Sequence, residues 1–238
     1  MVNKDINIGE KAYEYQKYGK TRIDNFLDTE YADALHRFFT KEMPRDWWSL
    51  STMPKRPGVE GELDVERLFD DADFIQANQY KYEIADEHFN LDEFSYSFKR
   101  TLDDHVEECA CQECDLRKVI TSQKTINIIN TITQTGVTKA DTLFSSLYEK
   151  GDFLNIHHDG PNGKVGFVYN LCKEWRADWG GLLQILSHDW KTVQNTFIPG
   201  YNTLTLFDSS NDTGFPHNVT HVVRDNVMRI SFTGWFTL

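Results

Sequence analysis

From residue 136 onward the chain is punctuated so regularly that few folds can accommodate it. Short apolar runs recur at 142–148, 153–157, 165–171, 181–186, 193–198, 203–207, 217–223 and 227–236, separated by Gly, Asn, Asp and Pro. Strands of this length at roughly 8–12-residue spacing are the signature of a sandwich or jelly roll. Ahead of Gly136 the chain reads mostly helical. Asp28, Thr29 and Glu30 offer an N-cap, and Tyr31, Leu35, Phe38 and Phe39 follow on one face until Pro44 stops the helix. Residues 53–61 hold two prolines and two glycines and read as a loop. A second helix is expected over 74–88, a strand over 94–98, and one helix or two over 116–133. No repeat or long linker divides the halves. The expected architecture is therefore mainly β with helical support (α+β), one domain over 1–238. Helices and loops of about 1–138 pack against a double-stranded β-helix (jelly-roll) core at about 139–238.

Composition supports a packed core, with 39% hydrophobic residues and 13% aromatics. The net charge of −12 repels phosphate, and no basic stripe offsets it; the densest cluster, 164–176, is interrupted by apolar residues. No apolar run approaches the roughly 20 residues that a bilayer demands. The first five residues lack the layout of a signal peptide. The expectation is a cytoplasmic protein that binds neither nucleic acid nor membrane; oligomeric state is not encoded in any of these features.

Cys109, Cys111 and Cys114 form a Cys-x-Cys-x-x-Cys cluster with His105 upstream, while Cys172 stands alone. Thiolates and an imidazole so spaced can close a zinc site. Against this, Glu107, Glu108 and Glu113 ring the thiols and disfavour thiolate formation, so reduced thiols without stoichiometric zinc are the expectation.

His157 and Asp159 lie two apart at the end of an expected strand, which turns them to one face and His158 to the other. With His217, at the start of the seventh run, they would complete a two-His-one-carboxylate triad of the kind that holds Fe(II) with open positions. Each histidine alone would more commonly be a polar residue near a turn. In the last run Arg229, Ser231, Thr233 and Trp235 alternate onto one face. An arginine in an apolar strand needs an anion, either an internal carboxylate or a bound one held by its fork with Ser231 adding a bond.

These segments, read together, resemble the Fe(II)/2-oxoglutarate-dependent oxygenases, in particular their prolyl-hydroxylase-like branch. The matching text is Tyr148 through His157-His158-Asp159, then Trp175 through Gly180-Gly181, Pro216-His217, and Arg229-Ile230-Ser231 through Trp235-Phe236. The resemblance implies that His157, Asp159 and His217 are iron ligands. It implies that Arg229, with Ser231, receives the distal carboxylate of 2-oxoglutarate, that Tyr148 hydrogen-bonds this cosubstrate, and that Trp235 forms an aromatic wall. Relatives often place Tyr where Asn170 stands, beside Tyr169; Asn170 can still donate a hydrogen bond. Gly180 and Gly181 are read as structural.

The implied reaction uses Fe(II), 2-oxoglutarate and O2, with ascorbate as a reductant, and yields succinate and CO2 while hydroxylating a C–H bond. A prolyl residue or proline-like amino acid is the implied target, free or within a peptide or protein. The carboxylate of Asp159 favours hydroxylation over halogenation. The rival readings are a cupin-type jelly roll of other chemistry, a nucleic-acid demethylase, and a non-enzymatic jelly-roll binding module. The first leaves Arg229 and Ser231 unexplained, and the charge opposes the second. Loops at 50–62 and 107–117 are the candidates to cover the mouth of the site.

Overall fold

The computed structural model describes residues 1–53, 65–67, 72–102, 109–160 and 163–238. Among them all eight expected strands are present: β5 (Lys139–Tyr148), β6 (Phe153–His157), β7 (Val165–Leu171), β8 (Leu183–Leu186), β9 (Val193–Phe197), β10 (Tyr201–Asp208), β11 (His217–Val219) and β12 (Arg229–Thr237). The first half supplies four more: β1 (Lys20–Asp24), β2 (Trp48–Met53), β3 (Val65–Arg67) and β4 (Tyr96–Thr101). Its helices are α1 (Ile8–Tyr18), α2 (Thr29–Arg37), α3 (Ala72–Asn90), α4 (Gln112–Thr121) and α5 (Gln123–Thr133). Described strands pair antiparallel in the order β1-β10-β7-β12-β5-β4-β6-β11-β8-β9, with β2 and β3 added beside β4. The order curls into the half-barrel of a jelly roll.

The expectation of a mostly helical first half is thus corrected. The sequence of β1, Lys-Thr-Arg-Ile-Asp, carries no apolar alternation, because its polar side chains are buried with partners. Thr21 bonds Glu14, and Lys20 Nζ donates to Gln194 Oε1 at 3.0 Å. Strand β2 is buried along almost its whole length, so period two is equally absent. The stretch 116–133 is two helices, broken at Ser122, whose extended backbone lets its Oγ cap Thr125 N–H. Asp28 precedes α2 as expected, but its carboxylate pairs with the N-terminal amine at 2.9 Å instead of capping the helix. The expected loop at 107–117 is also revised: Cys111 caps α4 from residue 112 onward, and Glu113 is fully buried. The expected loop residues 54–61, and His105 with Glu107 and Glu108, lie outside the described residues.

Period-two alternation along β12 divides the interior into two compartments. Ile230, Phe232 and Phe236 face a core that also holds Phe26, Leu35 and Ile129. Helices α1, α2, α4 and α5 therefore cover one face of the β1-β10-β7-β12-β5 layer, while α3 packs on β2 and β4. Arg229, Ser231, Thr233 and Trp235 face the other way and line a cavity of about 370 Å³. That volume lies within the usual range for a small-molecule site.

Candidate active site

Two neighbouring strands build the centre of this cavity. In the β6–β11 ladder His217 stands directly opposite His157, and their ring centroids are 4.3 Å apart. Asp159, just past the end of β6, turns its carboxylate between them. Its Oδ1 lies 3.5 Å from His157 Nε2 and 3.4 Å from His217 Nε2. The second ring nitrogens settle the orientation. His157 Nδ1 is 2.9 Å from the Asn155 carbonyl, and His217 Nδ1 is 3.0 Å from the Phe215 carbonyl. A carbonyl only accepts, so Nδ1 carries the proton and Nε2 presents its lone pair to the centre. Burial raises the Asp159 carboxyl pKa, but the two imidazoles outweigh it and hold the group well below the carboxylate range. An ionised oxygen and two imidazole lone pairs, all within 4.8 Å of one another, are the donor set of a divalent metal with open positions. His158 is exposed at the cavity edge, 5.8 Å from the Trp190 ring, and is not part of this group.

Arg229 answers the second requirement. It is 1% exposed, and no acidic side chain among the described residues pairs with it. Its Nε donates to the Gly181 carbonyl at 2.7 Å and Nη1 to Ser231 Oγ at 3.2 Å, while the guanidinium carbon sits 4.9 Å from the centre of the Tyr148 ring. The internal-carboxylate alternative is therefore not the one built here, and an anion entering the cavity would meet an uncompensated cation. Ser231 in turn bonds Ser146 at 2.8 Å. Tyr148 stands opposite Arg229 in the β5–β12 ladder, buried, with its phenol pKa pushed up by that burial. Gly180 and Gly181 adopt φ of 73° and 64°; a Cβ at 180 would fall 1.8 Å from the His221 carbonyl oxygen and one at 181 would press on Arg229 Cδ. Both are structural, and Gly181 is what permits its carbonyl to hold Arg229. Arg224 is exposed.

Trp235 lines the cavity, and its buried indole N–H has no acceptor among the described residues. Asn170 stands opposite Ser231 on β7, buried, its Oδ1 without a hydrogen-bond partner among the described residues. As the cross-strand partner of Ser231 it shares that residue's face of the sheet, one pleat beyond Val168, which lines the cavity on β7. Sequence reasoning missed the aromatic wall of Phe94, Tyr96 and Phe98. Phe94 lies 5.7 Å from the His157 ring, and Phe98 stacks on Tyr148 at 5.1 Å. The period-two spacing of 94, 96 and 98 was the available signal; only the pairing of β4 with β5 and β6 directs that face inward.

Comparison with known proteins agrees with this geometry. Residues 143–237 match the family model of the 2OG-Fe(II) oxygenase superfamily. The prolyl 3-hydroxylase OGFOD1 of Mus musculus is 33% identical over 94 residues, 37% of this chain and 17% of that protein. The Xenopus laevis protein of the same name is 28% identical over 113 residues, 45% of this chain and 22% of its own length. The chain thus matches about a fifth of the length of these curated relatives. A Pseudomonas putida prolyl-4-hydroxylase superposes with a TM-score of 0.58 at 18% identity, covering 97% of this chain and 99% of that one. A Trichoplax adhaerens prolyl hydroxylase, solved with a hypoxia inducible factor oxygen degradation domain peptide fragment, gives 0.61 at 17% identity, covering 97% and 88%. At such identity the two structures establish the shared jelly-roll fold. Residues 143–237, which carry the His-Asp-His cluster and Arg229, are thus similar in sequence to the 2OG-Fe(II) oxygenase superfamily.

Proposed function

We propose that the protein hydroxylates a C–H bond of a prolyl residue or a proline-like amino acid, with succinate and CO2 as co-products. The observation that carries this reading is the shared cavity, in which a two-His-one-carboxylate cluster and an uncompensated buried arginine line one space. The residues fit the cofactors by their chemistry: three hard-to-borderline donors for Fe(II) and a guanidinium fork for a dicarboxylate. Fe(II) with 2-oxoglutarate and O2, when bound, supplies the oxidising power for C–H hydroxylation, and ascorbate in the assay keeps the iron reduced.

Every other contribution comes from the chain. Asp159 stays ionised, and the Asn155 and Phe215 carbonyls hold the imidazoles in the metal-binding tautomer. Arg229, itself fixed by the Gly181 carbonyl, receives the far carboxylate of the cosubstrate. Tyr148 remains a neutral phenol and can donate to the same ligand. Phe94, Tyr96 and Phe98 present apolar ring faces beside His157, and a pyrrolidine ring has the size and apolarity to pack there. The names of the curated relatives and of the superposed structures support proline chemistry, and the net charge of −12 favours a cationic peptide over nucleic acid. A cupin-type centre would account for the histidines but not for Arg229.

The test is turnover of 2-oxoglutarate with Fe(II) and ascorbate, scored as succinate, together with mass spectrometry of free proline, proline analogues and proline peptides. Gain of one oxygen atom on a proline ring is the expected product. Succinate without any oxidised proline species would overturn the substrate reading. No succinate from iron-loaded protein would overturn the reaction itself.

A further inference from the structure

A second group of metal-type ligands lies at the start of α4 and shares no residue with the triad. The Sγ atoms of Cys109, Cys111 and Cys114 all fall within 4.8 Å of one another, and no disulfide joins them. Around a tetrahedral zinc ion with Zn–S near 2.3 Å, thiolate sulfurs stand about 3.8 Å apart. Inward shifts of less than an ångström would therefore close the three around one ion. The local backbone is arranged as thiolate ligands require. Cys111 is the N-cap of α4, and its Sγ accepts the Cys114 N–H at 3.4 Å. Ser, Thr, Asp and Asn are the usual N-caps, and a neutral thiol is a weak acceptor in that position. A metal-bound thiolate is a strong one, and the positive end of the helix dipole also favours it.

The sequence-based objection to zinc included Glu113 among the carboxylates expected to hold these thiols protonated. In the fold Glu113 is fully buried and turned elsewhere: it accepts from Thr101 Oγ1 at 2.6 Å and Ser145 Oγ at 3.1 Å, with Arg117 3.4 Å away.

We propose that Cys109, Cys111 and Cys114 form a structural three-thiolate zinc site at the N-terminus of α4. Binding replaces three thiol protons, released to solvent, with one divalent ion, and the fourth position is left to a non-cysteine donor. The ion would tie Cys109 and Cys111 to the first turn of α4, whose Glu113 accepts from Thr101 at the end of β4, the strand that carries part of the cavity wall. It would act as a brace, without part in the chemistry.

The test uses the full chain, stripped of metal under reducing conditions and then reloaded with zinc alone or with cobalt as a spectroscopic substitute. One equivalent of zinc that survives His157→Ala and His217→Ala but is lost in Cys111→Ser and Cys114→Ser is the expected result. Cobalt should give intense thiolate-to-metal charge-transfer absorption in the near ultraviolet. If the serine variants fail to fold, the wild-type cobalt spectrum decides, together with protection of three thiols from alkylation by zinc. Zinc that follows the histidine variants would overturn the proposal. So would a cobalt spectrum without thiolate bands, or a disulfide within the cluster of the freshly purified protein.

Discussion

In the proposed function Arg229 carries the anion-binding chemistry of the cavity. A guanidinium this deeply buried, facing a carbonyl, a hydroxyl and an aromatic ring but no carboxylate among the described residues, is poised for an incoming anion. Removing one partner of a buried charge pair costs about 2–5 kcal/mol. Arg229→Ala should therefore weaken 2-oxoglutarate binding roughly 30- to 3,000-fold at 1.4 kcal/mol per tenfold. Calorimetry of the iron-loaded protein checks this, with iron content unchanged because Arg229 is no ligand. Arg229→Lys should recover only part, since an ammonium lacks the bidentate fork. At the metal, His157→Ala, Asp159→Ala and His217→Ala should each abolish turnover and iron retention. His158→Ala should keep substantial activity, because His158 lies outside the cluster. An inactive His158→Ala beside an active His157→Ala would place the ligand register one residue away.

Elements position these residues through a buried ionic clamp. The turn from β5 to β6 separates Tyr148 from His157, and it is tied to β4 by Lys99. This 5%-exposed lysine reaches Asp152 at 2.5 Å and Glu149 at 3.3 Å, while Arg45 pairs with Glu149 at 2.6 Å. Asp152 also accepts from Ser97 Oγ and the Glu149 N–H. Lys99→Met would leave the Asp152 carboxylate buried and unpaired, a loss of about 3–5 kcal/mol in unfolding free energy. Denaturant titration measures it; a change below about 1 kcal/mol, the scale of an exposed pair, would show that the clamp is not structural. Gly181 plays the matching role between β8 and the preceding turn. Gly181→Ala forces a side chain into positive φ and against Arg229. The expected outcome is weaker 2-oxoglutarate binding in a protein that still holds iron, read by the same calorimetry.

At the scale of the whole molecule, a net charge of −12 accompanies an aromatic-lined cavity in the half-barrel. Long-range attraction of this kind is screened over about 8–10 Å at ordinary ionic strength. If the substrate is a peptide, proline peptides flanked by Lys or Arg should show a lower KM than Asp- or Glu-flanked ones. The difference should shrink as salt is raised, with kcat little changed. Equal KM values at low salt would remove charge from the substrate argument. Among the described residues no helix is long and apolar enough to cross a membrane.

The eight C-terminal strands, the His157-Asp159-His217 cluster and the face of β12 that carries Arg229 are legible in the sequence, because each follows from local periodicity of two and from residue chemistry. Even the left-handed pair Gly180-Gly181 is legible, since glycine is the residue that tolerates it. Strands β1 and β2 were not legible, because a strand buried on both faces, or buried with polar partners, loses the alternation that betrays it. Long-range pairing makes β4 an aromatic wall, sets Asn170 beside Ser231 on the same face of the sheet, and turns Glu113 toward Thr101 and Ser145. These are outcomes of pairing between strands dozens of residues apart. A local pattern says which face a side chain shares, but only the long-range register says what that face meets.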